Sequence, residues 1–244
     1  MSLHKRGKNM KILITNDDGI NADGLVRLAR VAKEFGEVYV VAPMHQQSAN
    51  SHSLTLRRSF EAARVDFPVS GVKAYAVDGT PSDCVRIGVL NIVNKPDIVL
   101  SGINYGFNLA SDIQYSATCG AAFEAVFQKV KAIAFSEAAN NVHEVSDHYL
   151  KDILVYLIDK PFMPNKIYNV NFPECSLSEC NGILYDRITS VAEFYEDSYL
   201  EERIDENRFL YTIKGNRNYK AEDGSDLKAI FDNYISVGIV SNIA

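Results

Sequence analysis

The sequence predicts an α/β fold in which a mainly parallel sheet is covered by helices on both faces. Two observations predict it. Short continuous apolar runs alternate along the first half of the chain with segments whose apolar residues recur at helical spacing. The runs are apolar throughout rather than at every second residue, which is typical of parallel strands buried on both faces. With 244 residues, the chain is long enough for one large domain of this class.

The first predicted unit is a strand, a helix and a second strand. Residues 11–15 predict the first strand, and residues 38–42 predict the second, which Pro43 ends. Between them lies a predicted helix that Gly36 terminates. A right-handed crossover then makes the two strands parallel neighbours. The apolar positions of the helix are Leu25, Leu28, Ala29, Ala32 and Phe35.

Four further strands and three helices follow in alternation. A helix is predicted to start after Thr80, because Thr80 can cap it, Pro81 is preset for its first turn and Asp83 favours its positive end. The predicted strands cover residues 72–77, 97–101, 132–135 and 167–172. The buried faces of the helices are Val85, Val89 and Ile92; Cys119, Ala122, Phe123 and Val126; and Leu150, Ile153, Leu154, Leu157 and Ile158.

The pattern weakens after Pro173. Between Glu193 and Glu206, acidic residues and tyrosines mix without a clear period, which leaves open a solvated helix, an exposed hairpin or an arm that contacts another subunit. Residues 235–240 predict a short final strand. We therefore expect a catalytic α/β core at residues 10–172 and a C-terminal extension, with the oligomerisation arm and the final strand, at residues 173–244.

Composition and charge disfavour several classes of protein. A formal net charge of −6 gives no electrostatic footprint for a nucleic-acid polymer or an anionic membrane surface. No stretch approaches the roughly 18 continuous apolar residues of a membrane span. Residues 1–9 are basic and polar, unlike a signal peptide, and we interpret them partly as a leader before a natural start at Met10. The four cysteines, expected to be reduced, indicate a cytoplasmic protein: Cys84, Cys119, Cys175 and Cys180.

Two adjacent carboxylates follow the first predicted strand. Asn16, Asp17, Asp18 and Gly19 stand where a buried strand opens into a loop. Ligands gather beyond the carboxyl ends of the strands in open α/β sheets, and neighbouring ionised aspartates are costly unless a cation neutralises them. The tetrapeptide therefore favours a hard-cation site, although the same residues also suit an ordinary solvated turn.

Two later strand ends bring further oxygen donors to the same predicted edge of the sheet. If the strands are parallel, the loops after them converge with the loop that carries the acidic pair. Hard oxygen ligands suit Mg²⁺ or Mn²⁺, whereas zinc would draw in histidine or cysteine. We assign no histidine to the metal. The expected ligands are carboxylate oxygens of Asp17 and Asp18, the hydroxyl of Ser48 and the amide oxygen of Asn104.

A donor-rich segment stands at the start of the helix predicted around Cys119. Free backbone N–H groups and the positive helix end favour phosphate there, and the hydroxyls of Ser116 and Thr118 can add hydrogen bonds. Ordinary capping of the helix by the same two side chains is the alternative. The segment therefore predicts an anion site only in combination with the metal site.

Four separated motifs occur in one order between residues 11 and 124. Together they closely resemble the SurE family of survival-protein nucleotidases, with a fainter match at residues 171–173 and 235–237. The motifs are Ile14-x-Asn16-Asp17-Asp18-Gly19; Val41-Ala42-Pro43 with Ser48 and Ser53-Leu54-Thr55-Leu56; Gly79-Thr80-Pro81-Ser82-Asp83-Cys84-Val85; and Pro96-Asp97-Ile98-Val99 with Ser101-Gly102-Ile103-Asn104-x-Gly106-x-Asn108.

The resemblance implies a metal-dependent phosphomonoesterase that hydrolyses nucleoside 5′- and 3′-monophosphates, with some members also cutting short polyphosphate. It implies a Rossmann-like, three-layer α/β/α body and a C-terminal hairpin that forms homodimers or homotetramers. The motifs place the family's ligands for one divalent ion per subunit, Mg²⁺ or Mn²⁺, at Asp17, Asp18, Ser48 and Asn104. The catalytic residues are then Asp17, Asp18 and Asn104, and the phosphate contacts are Asn16, Asn108, Ser116 and Thr118.

The chain departs from the family pattern where Ala110, Ala117 and Ala125 replace expected glycines. If residue 117 needs a left-handed backbone or must admit close approach of a phosphate, its methyl group imposes strain of about 1 kcal/mol or more, which lowers turnover or reshapes the loop. The ending Val240-Ser241-Asn242-Ile243-Ala244 replaces the usual Thr-Pro-Leu, which leaves oligomer contacts from a longer tail in doubt.

Two other interpretations of the acidic pair stay open. Asp17 could be a covalent nucleophile, as in haloacid-dehalogenase-like phosphatases, although those enzymes carry Asp-x-Asp rather than adjacent carboxylates. The second interpretation is a receiver-like signalling module that binds Mg²⁺ without turnover. Such a module carries an aspartate phosphoacceptor at a later strand end, where this chain has Ser48 and Asn104. A dinucleotide-binding dehydrogenase is disfavoured, since no Gly-x-Gly-x-x-Gly follows a predicted strand.

Overall fold

The computed structural model describes residues 10–242, which form eleven strands and five α-helices. The strands are β1 (Met10–Thr15), β2 (Gly36–Pro43), β3 (Ala62–Val65), β4 (Lys73–Val77), β5 (Ile98–Tyr105), β6 (Lys131–Glu137), β7 (Lys166–Phe172), β8 (Ile183–Arg187), β9 (Tyr195–Arg203), β10 (Phe209–Arg217) and β11 (Ile235–Ser241). The helices are α1 (Asp23–Ala32), α2 (Pro81–Ile87), α3 (Ala117–Phe127), α4 (Glu144–Ile158) and α5 (Asp226–Phe231). The interpretation of residues 1–9 as a leader concerns residues outside the described range.

Nine strands form one sheet in the order β3-β4-β2-β1-β5-β6-β7-β11-β8. The strands from β4 to β7 pair in parallel, whereas β3 runs antiparallel to β4 and β11 runs antiparallel to β7. The chain first builds outward from β1 through β2 and later continues on the other side of β1 with β5. The topological switch point, where ligands bind in such sheets, therefore lies between β1 and β5. The predicted α/β class with a mainly parallel sheet is confirmed.

Helices pack on both faces of this sheet. Along β1, Ile12 and Ile14 point to the face that α1 and α4 cover, while Leu13 points to the face of α2 and α3. Successive strand residues alternate between faces, so two covered faces require every residue of the strand to be apolar. This explains the continuous apolar runs in the sequence and gives the three-layer α/β/α arrangement. Within residues 10–242, none of the helices is both long and apolar enough to cross a membrane.

The predicted start of α2 is confirmed in detail. The side chain of Thr80 accepts a hydrogen bond from the backbone N–H of Asp83 at 3.1 Å, and the Asp83 carboxylate accepts one from the N–H of Thr80 at 3.0 Å. This reciprocal capping satisfies two backbone donors at the helix start. Beyond Ile87, a π-helical turn at Gly88–Ile92 replaces the regular helix, and Ile92 is only partly buried.

Residues 193–206, for which the sequence left three alternatives, lie mostly in an exposed hairpin. Strands β9 and β10 pair antiparallel over nine residues each, separate from the main sheet, and all of these residues are exposed. The main sheet also takes β8 and β11 from beyond residue 172. The proposed division of the chain at residue 172 stays a prediction.

Ala117 does not have the left-handed backbone that the sequence analysis considered for it. Ala117 is the first residue of α3, capped by Ser116, and so has a helical conformation in which a methyl group is favourable. Ala110 instead has a φ of 49°, in the left-handed region where a methyl group crowds the backbone. The backbone strain considered for Ala117 therefore occurs at Ala110, another position where alanine replaces an expected glycine.

We expect Ala110→Gly to raise the free energy of unfolding by up to about 1 kcal/mol, because glycine removes the left-handed penalty. The matched change Ala117→Gly is expected to lower it by about 1 kcal/mol, since glycine is unfavourable within a helix. Urea denaturation of both variants measures the two effects. Changes of the same sign at both positions would contradict the conformational argument.

Candidate functional site

The loops after β1, β2 and β5 meet at the switch point of the sheet. The backbone N–H of Gln47 donates to the carbonyl oxygen of Asp17 at 2.7 Å, which fixes the loop after β2 against the loop after β1. The N–H of Tyr105, at the end of β5, donates to Oδ2 of Asp18 at 3.0 Å. These contacts produce a cavity of about 220 Å³, which we call the cleft. Among the predicted site residues, Asp17, Ser48, Asn104, Asn108 and Ser116 line it.

Asp17 is a buried carboxylate held by a helix residue. Its Oδ1 accepts a hydrogen bond from the hydroxyl of Thr118, in the first turn of α3. Burial raises the pKa of Asp17 to about 6, with the Asp18 charge adding to this and the Thr118 hydrogen bond opposing it. A buried carboxylate beside a second one is the environment that a bound cation would relieve.

Asp18 is half-buried and links the three loops. Burial raises its pKa, and the hydrogen bonds from Tyr105 and Gln46 oppose the rise. The side-chain amide of Gln46 lies 3.4 Å from Oδ1 of Asp18 and donates to the hydroxyl of Ser48 at 3.0 Å. Gln46 therefore positions Ser48 beside the acidic pair.

Two asparagines hold tight turns at the ends of β1 and β5. The side-chain amide of Asn16 donates to the carbonyl of Gly19 at 3.0 Å, and that of Asn104 donates to the carbonyl of Gly106 at 2.8 Å. Both glycines have positive φ, 99° and 135°, which other residues adopt only with strain. Since each amide group donates within its own turn, the Oδ1 of Asn104 is left for a ligand.

Of the four predicted phosphate contacts, the structure brings two to the cleft. Asn108 and Ser116 line it, whereas Asn16 and Thr118 are fully buried behind it. Ser116 also caps α3, because its hydroxyl accepts from the N–H of Cys119 at 3.0 Å. The capping alternative is therefore realised at Ser116, and the hydroxyl of Thr118 is engaged by Asp17. The roles of these residues as phosphate contacts stay predictions.

Comparison with known proteins decides the family. The model of the family described as "Survival protein SurE" matches residues 12–194. The chain belongs to the SurE family. It is 39% identical over 240 residues to the 5′-nucleotidase SurE of Paramagnetospirillum magneticum, covering 94% of this chain and 88% of that protein. It is 36% identical over 234 residues to the 5′-nucleotidase SurE of Alkaliphilus metalliredigens, covering 93% and 91%.

The fold agrees with that of a solved member of the SurE family. The crystal structure of the SurE protein from Aquifex aeolicus matches with a TM-score of 0.81 at 32% identity, covering 95% of this chain and 93% of that chain. The resemblance inferred from the four sequence motifs is thus confirmed, as is the Rossmann-like α/β body that it implied.

Sequence reasoning missed two asparagines in β7 that support the SurE cleft. Asn169 and Asn171 donate from their side chains to the carbonyl of Asn108, at 2.9 and 3.0 Å, and Oδ1 of Asn171 accepts from the N–H of Asn108 at 2.9 Å. The side chain of Asn108 donates in turn to Ser136 in β6 at 2.7 Å. The signal was available, because two asparagines at alternate positions of a buried strand need buried partners.

The donors of the SurE cleft fit a hard divalent cation. They are carboxylate, hydroxyl and amide oxygens, which Mg²⁺ and Mn²⁺ prefer. Among residues 10–242, no group of three or more His, Cys, Asp or Glu side chains is arranged to hold a metal. Within the described residues, the buried Oδ1 of Asn16, next to Asp17 in the sequence, has no hydrogen-bond partner.

Proposed function

We propose that this chain is a 5′-nucleotidase that hydrolyses nucleoside monophosphates in the cleft between β1 and β5. It is a phosphomonoesterase, like its relatives named 5′-nucleotidase SurE. The observation that carries the assignment to this cleft is the convergence of Asp17, Ser48 and Asn104 on one cavity at the switch point. The receiver-like signalling module is not supported, since the family match extends over most of the chain.

One divalent cation per subunit, Mg²⁺ or Mn²⁺, is the cofactor that we propose for this cleft. The metal dependence implied by the family resemblance and the oxygen donors support it. When bound, such an ion would polarise a phosphoryl oxygen and neutralise charge that develops during phosphoryl transfer. The residues proposed to hold it are Asp17, Ser48 and Asn104, which line the cleft, and Asp18, which lines the neighbouring cavity.

The substrate phosphate lies, in this proposal, between the acidic pair and the start of α3. Ser116 and Asn108 line that side of the cleft, and the positive end of the 11-residue helix favours an anion there. Asn16 shapes the turn that presents Asp17, and Thr118 acts as a positioning residue through its hydrogen bond to Asp17. Extension of the activity to nucleoside 3′-monophosphates and short polyphosphate belongs to the same proposal.

In the reaction, a water oxygen forms a bond to phosphorus and the ester P–O bond breaks, which releases the nucleoside. One carboxylate of the pair, Asp17 or Asp18, accepts one proton of the water, and this proton is then delivered to the leaving oxygen of the nucleoside, while the other proton of the water stays on the phosphate. Direct attack by Asp17 is the competing hypothesis. A phosphorylated Asp17 trapped during turnover and detected by mass spectrometry would establish that route.

The proposed function is tested by phosphate release from a panel of nucleoside monophosphates with and without added divalent cations. We expect release from AMP and GMP with Mn²⁺ or Mg²⁺, and loss of activity in a chelator that the cation restores. Rates that do not depend on the cation would contradict the proposed cofactor. A protein that releases no phosphate under any of these conditions would contradict the hydrolase assignment.

We also propose a homodimer or homotetramer built through the β9–β10 hairpin. A lone two-stranded ribbon is marginally stable in water, yet this one exposes apolar side chains such as Tyr199, Leu200, Leu210 and Ile213. A second copy of the chain would cover them, and a monomer in analytical ultracentrifugation would contradict this.

A cytoplasmic location is supported by the free state of all four cysteines.

A further inference from the structure

A second cavity opens beside the cleft, and we call it the Asp18 recess. It has a volume of about 240 Å³ and shares the wall formed by Tyr105 with the cleft. Asp17 lines the cleft, and the next residue, Asp18, lines the recess, so the two cavities are neighbours at the edge of β1 and β5. A group esterified to a phosphate in the cleft is therefore within reach of the recess.

The polar lining of the Asp18 recess combines three carboxylates with four side chains that can both donate and accept hydrogen bonds: Gln46, Tyr105, Asn141 and His143. Asp18, Asp23 and Glu137 contribute carboxylates, and none of the described residues that line the recess is lysine or arginine. Arg27 lies behind the recess, and its guanidinium donates hydrogen bonds to Asp23, Asp147 and Glu137. An acidic lining disfavours a second phosphate, whereas a neutral group that carries hydroxyl donors is compatible with it.

The size of the recess indicates a part of a ligand rather than a whole one. Complete small-molecule sites usually measure about 300–1,000 Å³. The volume of about 240 Å³ falls below this range. A sugar attached to a phosphate that itself lies in the cleft matches both the volume and the hydrogen-bonding character of the recess.

His143 is the side chain best placed to recognise a hydroxyl group. Its Nδ1 lies 3.0 Å from Oε1 of Glu137, a close approach without the geometry of a hydrogen bond. The buried carboxylate of Glu137 accepts hydrogen bonds from Arg27 and Ser146. A neighbouring carboxylate favours the tautomer with the proton on Nδ1, which leaves Nε2 as a hydrogen-bond acceptor. The side chain is 25% exposed and lines the recess, so a ligand can reach it.

We propose that the Asp18 recess binds the ribose of the nucleoside monophosphate, and that Nε2 of His143 accepts a hydrogen bond from a ribose hydroxyl. This inference rests on the proposed nucleotidase function. His143 is then a specificity residue, which favours nucleotides over phosphomonoesters that have no sugar. Glu137 acts behind it as a positioning residue through the charge that lies 3.0 Å from Nδ1 of the imidazole, and Arg27 holds the Glu137 carboxylate in place.

The first test compares AMP with p-nitrophenyl phosphate, which has no sugar. The quantity compared is kcat/KM for AMP divided by kcat/KM for p-nitrophenyl phosphate. In His143→Ala, this ratio is expected to fall about tenfold, because one hydrogen bond to the ribose is lost. The fall should come mainly from a higher KM for AMP. His143→Gln is expected to restore part of the ratio, because its Oε1 reaches the position of Nε2. The matched control is His148→Ala in α4, an exposed histidine outside the recess, which should keep the wild-type ratio.

The second test measures adenosine binding to the cation-free protein by isothermal titration calorimetry. Adenosine carries the ribose without the phosphate, and its Kd is expected to rise about tenfold in His143→Ala and to stay unchanged in His148→Ala. An unchanged kcat/KM ratio, an unchanged Kd, or a wild-type protein that does not bind adenosine overturns the inference. A wild-type protein that hydrolyses neither phosphate ester defeats the proposed function instead, and the adenosine titration still decides the ribose site.

Discussion

We expect Asp17→Asn to lower kcat/KM for AMP by about a thousandfold. Loss of a single preorganised charge-stabilising group costs about 10²–10³ in rate, and Asp17 is also a proposed metal ligand and proton acceptor. Asparagine has nearly the same shape and keeps an oxygen that can accept the hydrogen bond from Thr118. The variant therefore removes the charge and leaves the local packing in place. Phosphate release at several Mn²⁺ concentrations measures the loss.

The same change is expected to have the opposite effect on stability. In a chelating buffer at pH 8, the ionised Asp17 is buried beside Asp18, and burial has already raised its pKa to about 6. Replacing it with a neutral amide removes a cost of roughly 1–3 kcal/mol. We expect a higher free energy of unfolding for Asp17→Asn than for the wild type without cation, and a reversal of that order when Mn²⁺ stabilises only the wild type.

The control for this pair of effects is Asp66→Asn, the same chemical change on an exposed residue between β3 and β4. It should alter neither turnover nor the response of stability to Mn²⁺. If Asp17→Asn hydrolyses AMP at close to the wild-type rate, the assignment of Asp17 to the metal site is wrong. If its activity falls and Mn²⁺ still stabilises it as strongly as the wild type, Asp17 serves the chemical step but does not hold the ion.

The convergence of loops in the cleft could be predicted because it follows from strand direction alone. Once β1, β2 and β5 are recognised as buried parallel strands, their carboxyl ends must share an edge, and Asp17, Ser48 and Asn104 follow with them. Continuous apolar runs in the sequence predict such strands. The strands that place the acidic pair could therefore be predicted from the sequence, with ends that differ from the observed ones by one to several residues.

The second layer of contacts could not be predicted from local pattern. The bonds of Asn169 and Asn171 to Asn108 join residues about 60 positions apart, so they depend on the order of strands in the sheet. The missed elements β3, β8 and α5 have only four to six residues, too few to establish a period. The Asp18 recess was missed for a similar reason, since Glu137 reaches it from the end of β6 and His143 from the segment before α4.

The C-terminal region nevertheless contributes to the cleft through one buried carboxylate. Asp226, the first residue of α5, accepts hydrogen bonds from the N–H groups of Ala110 at 3.0 Å, Ser190 at 2.8 Å and Leu227 at 2.8 Å. Burial raises the pKa of Asp226, and these three backbone donors oppose the rise. Asp226 thereby fixes the segment that leads to Ser116 to the base of the β9–β10 hairpin.

We expect Asp226→Ala to lower the free energy of unfolding by about 3 kcal/mol or more, because each buried N–H left without a partner costs about 1–3 kcal/mol. Asp226→Asn keeps one acceptor oxygen and should cost about half as much. The exposed neighbour Asp223 provides the matched control, and Asp223→Ala should remain within about 0.5 kcal/mol of the wild type. Urea denaturation measures all three variants. Equal stabilities of Asp226→Ala and Asp223→Ala would mean that the three N–H groups find other partners, and the link between the C-terminal region and the cleft would then lack an energetic basis.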